Sequence, residues 1–273
     1  MGNPESVIAD DDFLYITDIG PRLNPIDKDG DGKIWRVTKE GKFVDSTFFK
    51  AKLNSPKGTA IHNNRLYIAD IDRVVVFDTK SGAFVKEINL EKIGVKLVND
   101  LCIKDGKELY ATCTILGKVL RIPIDDESGI SFLNIPEIKG ANGISYNNQC
   151  NCLAVVGLGS FDASRGAGEI YIVSLYGAKP DSKKIKGIAG FFDGVEWLDS
   201  SHIMVDDWVS LYEQKGTVRI LNLKTMEYKK INLSPIGGSA DFYLDREKKQ
   251  VIIPATLQGR IIRIELNRNV LRK

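Results

Sequence analysis

Short apolar runs with alternating polar positions follow one another along the whole chain, and Gly, Asn, Asp and Lys separate them. This two-residue alternation indicates β-strands, and no stretch shows the periodicity of an amphipathic helix. A tetrad recurs at the start of each group of strands, usually with a polar residue second and often with a small residue third. Its six copies are residues 4–7, 56–59, 98–101, 141–144, 192–195 and 239–242.

The spacing of the tetrads indicates the architecture. Their second residues are Glu5, Lys57, Asn99, Asn142, Asp193 and Ala240, which lie 52, 42, 43, 51 and 47 residues apart. A period of this length is typical of radial or solenoid repeats. A second strand follows each tetrad, a third usually begins at a glycine, and an outer fourth is visible in three repeats. Four antiparallel strands repeated six times predict an all-β, six-bladed β-propeller that forms one domain over residues 1–273.

The two ends of the chain differ in strand content. The last repeat has three clear strands before residues 267–273, whereas the first repeat begins with its innermost strand almost at once. Propellers usually close when one terminus adds a strand to the other terminus's blade. We therefore expect that a natural segment preceded Met1 and could have included an export signal. That would place the protein in the periplasm or outside the cell; otherwise a cytoplasmic location is expected.

Composition and charge narrow the class of partner. With 43% hydrophobic residues, the 273-residue chain has ample material for a core. Its 38 basic and 36 acidic residues leave a net charge of +2, so the chain carries no electrostatic signature of nucleic-acid or membrane-surface binding. No apolar run approaches the roughly 18 residues needed to cross a bilayer. A soluble protein with a small-molecule ligand or substrate is expected, and its oligomeric state is left open.

Several catalytic chemistries find no support in the sequence. The four cysteines lack zinc-ligand spacing and are interpreted as packed thiols; they are Cys102, Cys113, Cys150 and Cys152. His62 and His202, the two histidines, both adjoin turn sequences. No Gly-x-Ser-x-Gly elbow is present. If the protein is an enzyme, these absences favour metal-assisted hydrolysis.

The tetrads also predict where a metal would bind. In a propeller the innermost strands line a central channel, and their first residues gather at one mouth of it. Glu5, Asn99, Asn142 and Asp193 should therefore converge there. Two carboxylates and two amide oxygens are the hard ligands that calcium and magnesium prefer.

With these residues in this order, the chain resembles the regucalcin and gluconolactonase superfamily of six-bladed propellers. It is similar more distantly to paraoxonases and strictosidine synthases. The resemblance covers essentially the whole chain and implies that Glu5, Asn142 and Asp193 bind a catalytic divalent cation, with calcium the expected ion. It also implies that Asn99 lies beside the metal or substrate. The implied reaction is hydrolysis of a lactone or related ester, in which the cation polarises the carbonyl and Asp193 helps to activate water.

Two tetrads depart from this pattern. Lys57 could bind a substrate carboxylate or phosphate, or it could pair with Glu5 and compete with the metal. Ala240 offers no ligand, although Asp241 could turn inward or cap a strand. The alternative function is therefore a non-catalytic propeller that binds a small molecule or a protein, with the metal structural or absent.

Insertions supply further candidates. Asp27, Asp29 and Asp31 match the front half of a calcium loop, but Thr38 at its twelfth position cannot supply the bidentate carboxylate. The loop is interpreted as a charged insertion, with weak calcium binding as the alternative. The glycine-rich segment 157–168 does not follow the P-loop pattern. Segments 19–23 and 208–211 are expected to give the mouth apolar walls. Arg22, Phe161 and Trp208 are candidates to border the mouth; Asp18, Asp70 and Asp207 are either support for the site or strand-end aspartates.

Overall fold

Consecutive strands pair antiparallel through short connections, and this builds one sheet after another around a common axis. The computed structural model describes residues 1–160, 166–177, 179–231 and 234–266. Within those residues, five sheets have four strands and the sixth has three. The six-bladed β-propeller predicted from the tetrads is confirmed.

Each blade runs outward from the channel. The innermost strands are β1 Pro4–Ala9, β5 Pro56–His62, β9 Val98–Lys104, β13 Ala141–Asn147, β17 Phe192–Trp197 and β21 Tyr243–Asp245. The second strands are β2 Phe13–Asp18, β6 Arg65–Asp70, β10 Glu108–Cys113, β14 Cys152–Gly157, β18 His202–Asp207 and β22 Gln250–Ala255. The third strands are β3 Lys33–Thr38, β7 Arg73–Asp78, β11 Lys118–Pro123, β15 Ile170–Ser174, β19 Thr217–Asn222 and β23 Arg260–Glu265. The outer strands are β4 Phe43–Asp45, β8 Phe84–Asn89, β12 Ser131–Phe132, β16 Asp181–Lys184 and β20 Tyr228–Lys230. Short 3-10 turns cover Glu91–Ile93, Glu127–Gly129 and Thr256–Gln258.

The hydrophobic core lies between the blades. Six clusters of buried apolar side chains each join two neighbouring blades. Tyr67, Val98 and Leu120, for example, belong to the cluster between the second and third blades. Successive side chains of a strand point to opposite faces of its sheet, so a blade that is covered on both sides needs apolar residues on both faces. This explains why the inner strands read as nearly continuous apolar runs.

The ring closes between the sixth and first blades without a shared sheet among the described residues. Val7, Leu14 and Ile252 pack across this seam. Ser6 forms a parallel bridge with Asp241. The sixth tetrad differs from the prediction because it precedes β21 instead of beginning it. Ser239 also forms an antiparallel bridge with Ala255 of β22, so this tetrad contacts both blades that meet at the seam.

Candidate functional site

A β-bulge lies at the tetrad of each of the first five innermost strands. The register shifts between Pro4 and Ser6 in β1, for instance, and between Phe192 and Val195 in β17. A bulge inserts an extra residue and re-aims its side chain. The second tetrad residue is therefore turned toward the channel mouth instead of into the face of the blade.

Buried threonines hold two of these bulges in place. Thr17 Oγ1 accepts a hydrogen bond from the Ser6 N–H at 3.0 Å and donates to the carbonyl of Lys57 at 2.9 Å. Thr112 Oγ1 likewise accepts from the Asp100 N–H and donates to the carbonyl of Asn142. Each hydroxyl thus ties the bulge of one blade to the key residue of the next. These links were not predicted from the sequence.

Close approach of neighbouring strands positions Asp193. A Cβ atom added to Gly143 would lie 2.1 Å from the carbonyl oxygen of Asp193. Only glycine leaves room for the two bulges to pass at this distance, so the third tetrad position helps to place the second position of the next blade.

The structure brings the second residues of five of the six tetrads into one pocket of about 260 Å3 at the channel mouth. The five are Glu5, Lys57, Asn99, Asn142 and Asp193. All are buried, and Ala240 does not line the pocket. Their proposed roles remain predictions, but the convergence on which those roles depend is present.

Two oxygens in this pocket lack a hydrogen-bond partner. They are Asn142 Oδ1 and Asp193 Oδ1, both inaccessible to solvent. The other carboxylate oxygen of Asp193 accepts a hydrogen bond from Trp208 Nε1 at 3.0 Å. The amide nitrogen of Asn99 donates to Thr114 Oγ1 at 3.1 Å. Buried acceptors without partners are rare and costly, so these two oxygens point to a ligand.

Crowding and burial raise the pKa values of the carboxyl groups. Burial raises the pKa of Glu5 to about 7, although the Lys57 charge opposes the shift. The pKa of Asp193 rises well above its usual range, first because of burial and then because Glu5 and Asp206 lie nearby. Both groups would be easier to ionise if a cation lay between them.

Lys57 is held away from Glu5. Its ammonium donates to the Pro25 carbonyl at 2.7 Å, to the Ser55 carbonyl at 2.7 Å and to Ser55 Oγ at 3.0 Å. No Glu5–Lys57 ion pair within 4 Å occurs among the described residues. Burial lowers the pKa of Lys57 to about 8. With its three hydrogens already donated, Lys57 acts on the pocket mainly through its charge.

More carboxyl groups lie deeper in the channel. Asp241 turns inward and accepts a hydrogen bond from Ser6 Oγ at 2.5 Å, and burial raises its pKa to about 8. Asp100 accepts from the Leu101 and Ile144 N–H groups. Glu196 accepts from Ser145 Oγ near the opposite mouth, which opens into a mostly polar depression. The channel is therefore acidic along its length.

The strand-end aspartates have a structural role. Asp18 accepts hydrogen bonds from the Gly2 and Asn3 N–H groups, and Asp70 accepts from those of Asn54 and Ser55. Asp207 does the same for the Phe191 N–H and pairs with Arg219. Each carboxylate thus secures the segment that enters the innermost strand of its own blade. None of the three lines the described pocket.

Other predicted features lie apart from the pocket. Arg22 pairs with Asp27 and Asp29 of the acidic loop. His202 contacts Asp199, and His62 ends β5 at the far end of the channel. All four cysteines are free thiols. Trp208 does border the mouth, whereas Phe161 lies outside the described residues.

Comparisons with known proteins agree on the fold. No family model and no curated protein matches the chain. A gluconolactonase from Xanthomonas campestris is similar in structure, with a TM-score of 0.67, 14% identity, and coverage of 93% of this chain and 82% of that one. A virginiamycin B lyase from Staphylococcus aureus has a TM-score of 0.63 and 14% identity over 97% of this chain and 96% of that one. A chain of a nidogen/laminin complex has a TM-score of 0.65 and 16% identity over 85% and 81%. The chain thus has a gluconolactonase-like propeller fold, and identities this low show the fold alone.

Two features are absent from the described residues. No helix there is long and apolar enough to cross a membrane. No group of three or more His, Cys, Asp or Glu side chains in that part of the chain is arranged to hold a metal. The candidate ligand set is of a different kind, since it combines two carboxylates with amide oxygens.

Proposed function

We propose that the protein is a divalent-metal-dependent hydrolase of lactones or related esters, with calcium as the expected ion. The observation that carries this proposal is the pair of buried, unpartnered oxygens of Asn142 and Asp193 in a pocket that also contains the carboxylate of Glu5. Oxygen donors of this kind suit calcium better than softer metals.

The residues present fit such an ion. Glu5 and Asp193 supply negative charge, Asn142 supplies a neutral oxygen, and burial limits competition from water. A cation would satisfy both orphan oxygens and relieve the repulsion that raises the pKa of Asp193. The charge of Lys57 weakens this attraction but does not block it, because its ammonium is held by Pro25 and Ser55.

A divalent cation bound there would supply Lewis acidity toward an ester carbonyl and lower the pKa of a nearby water. The chain's own residues have separable tasks. The Trp208 N–H fixes one oxygen of Asp193 and leaves the other without a protein partner. That second oxygen would serve as a metal ligand, and the carboxylate would help to activate a water bound beside it. Asn99, whose amide nitrogen donates to Thr114 Oγ1, would orient the substrate.

The test is a hydrolysis screen of lactones and aryl esters with protein that has been stripped of metal and then reloaded with calcium. Activity that requires calcium and falls at least a hundredfold in Asp193→Asn supports the proposal. Asp18→Asn is the matched control, because Asp18 is also buried but lies outside the pocket. Activity that survives chelation and Asp193→Asn would refute the metal-dependent mechanism.

A further inference from the structure

The pocket has a polar floor, formed by the five second tetrad residues, and apolar walls above it. Leu23 and Pro25 reach it from the β2–β3 loop, Leu97 and Leu158 lie on two other sides, and Leu211 and Tyr212 come from the β18–β19 loop. None of these six side chains is charged. The hydroxyl of Tyr212 belongs to a side chain that is 81% exposed. These walls therefore offer a ligand apolar contact and few hydrogen bonds.

Three donors of the pocket are already engaged. The ammonium of Lys57 donates to Pro25 and Ser55, and the indole N–H of Trp208 donates to Asp193. The hydroxyl of Thr256 donates to the Pro4 carbonyl at 2.7 Å. Hydroxyls of a polyhydroxylated ligand that faced the apolar walls would be buried without partners, and each such group costs roughly tenfold to a hundredfold in kcat/KM.

The size of the pocket limits the ligand further. Its volume of about 260 Å3 corresponds to roughly nine water-sized groups at about 30 Å3 each. A lactone ring with three or four additional carbons would fill it. A longer chain would pass between Leu23, which is 44% exposed, and Tyr212 at the rim.

We infer that the substrate is a neutral lactone or ester whose non-reacting part is a short hydrocarbon or aromatic group, and not a sugar lactone. This inference rests on the proposed function, because it assigns a substrate class to that same site. The apolar walls favour methylene groups over hydroxyls and over charged substituents.

The experiment compares kcat/KM of the calcium-loaded protein for γ-lactones of increasing alkyl length and for gluconolactone. We expect a gain of roughly fourfold per methylene, equivalent to ~0.8 kcal/mol, over the first three or four carbons and then a plateau. Gluconolactone should be at least a hundredfold poorer than the best alkyl lactone. Equal or better turnover of gluconolactone would overturn the inference and leave the proposed function intact.

Substitutions in the wall residues test whether the walls cause the dependence of kcat/KM on chain length. Leu23→Ser and Leu211→Ser should flatten the dependence on chain length, because they lower kcat/KM most for the lactones with the longest alkyl groups. Ile115→Ser, an exposed apolar residue outside the pocket lining, is the control and should leave the chain-length dependence unchanged. A chain-length dependence that both wall variants leave intact would overturn the inference.

A binding series with alkyl lactams, which resist hydrolysis, separates the two proposals. If no lactone is turned over but lactam affinity rises with chain length and falls in Leu211→Ser, the apolar walls bind alkyl groups as inferred and the proposed hydrolase function is wrong. Lactam affinity that is independent of chain length would overturn the inference that the walls select a hydrocarbon group.

Discussion

The substitution Asp193→Asn should have opposite consequences in the metal-free and calcium-loaded protein. Without metal, the wild type buries a carboxylate oxygen that has no partner, beside Glu5. An asparagine keeps an acceptor for the Trp208 N–H and removes the charge. A buried polar group without a partner costs about 1–3 kcal/mol. We therefore expect the metal-free variant to be more stable than the wild type by a value in this range.

Calcium should increase the free energy of unfolding more for the wild type than for Asp193→Asn. At a calcium concentration a hundredfold above Kd, binding adds about 2.7 kcal/mol to the free energy of unfolding. Loss of one buried charged ligand costs about 3 kcal/mol of binding, which weakens Kd roughly a hundredfold. Calcium at that concentration should thus raise Tm of the wild type by about 5–10 °C and that of Asp193→Asn by about 2 °C or less.

The assay is thermal unfolding with chelator and with calcium, followed by fluorescence or calorimetry. Asp18→Asn serves as the control, since its carboxylate accepts backbone hydrogen bonds and does not line the pocket. It should lower Tm equally in both conditions. If Asp193→Asn lowers the metal-free Tm as Asp18→Asn does, and leaves the calcium shift unchanged, Asp193 is a structural residue and the reasoning is refuted.

Three further predictions follow from the same geometry. Gly143→Ala should destabilise the protein by about 3 kcal/mol in denaturant unfolding and weaken calcium binding, because its Cβ would press on the Asp193 carbonyl; an unchanged midpoint would contradict this. Lys57→Met should cost about 1–3 kcal/mol of stability by leaving acceptors unpartnered, yet tighten calcium binding about three- to tenfold in a calorimetric titration. For Glu5, burial raises the pKa from 4.5 to about 7, so its stabilising contribution in the metal-free protein is complete below pH 4.5 and is lost as pH rises through 7. The chelated protein should accordingly be less stable at pH 8 than at pH 5.5, by about 2 kcal/mol for this group, and Glu5→Gln should remove that part of the trend.

The repeat made the architecture and the gathering of side chains predictable. Six tetrads at blade spacing predict that Glu5, Asn142 and Asp193 lie at one mouth, because radial symmetry converts a sequence period into a common position in space. The sixth tetrad was less regular. Its residues, including Ala240, lie before β21, because Asp241 pairs with Ser6 of the first blade and so helps to close the ring.

The contacts that prepare the site were not predictable from the tetrads. The hydroxyls of Thr17 and Thr112 occupy equivalent places next to the last residue of their strands, so a search for repeated threonines there would have found them. The Trp208–Asp193 hydrogen bond and the capture of Lys57 by Pro25 depend on how loops fold back over the mouth. Loop conformation of this kind leaves no periodic signal in the sequence.

The central claim is that Glu5, Asn142 and Asp193 form a divalent-cation site at the channel mouth. Terbium, a luminescent substitute for calcium, tests it most directly, because the indole of Trp208 is hydrogen-bonded to the proposed ligand Asp193 and can sensitise the ion. We predict sensitised emission that calcium displaces, that Trp208→Phe greatly weakens and that Asp193→Asn abolishes. Emission that is absent, or that persists unchanged in both variants, would contradict the account.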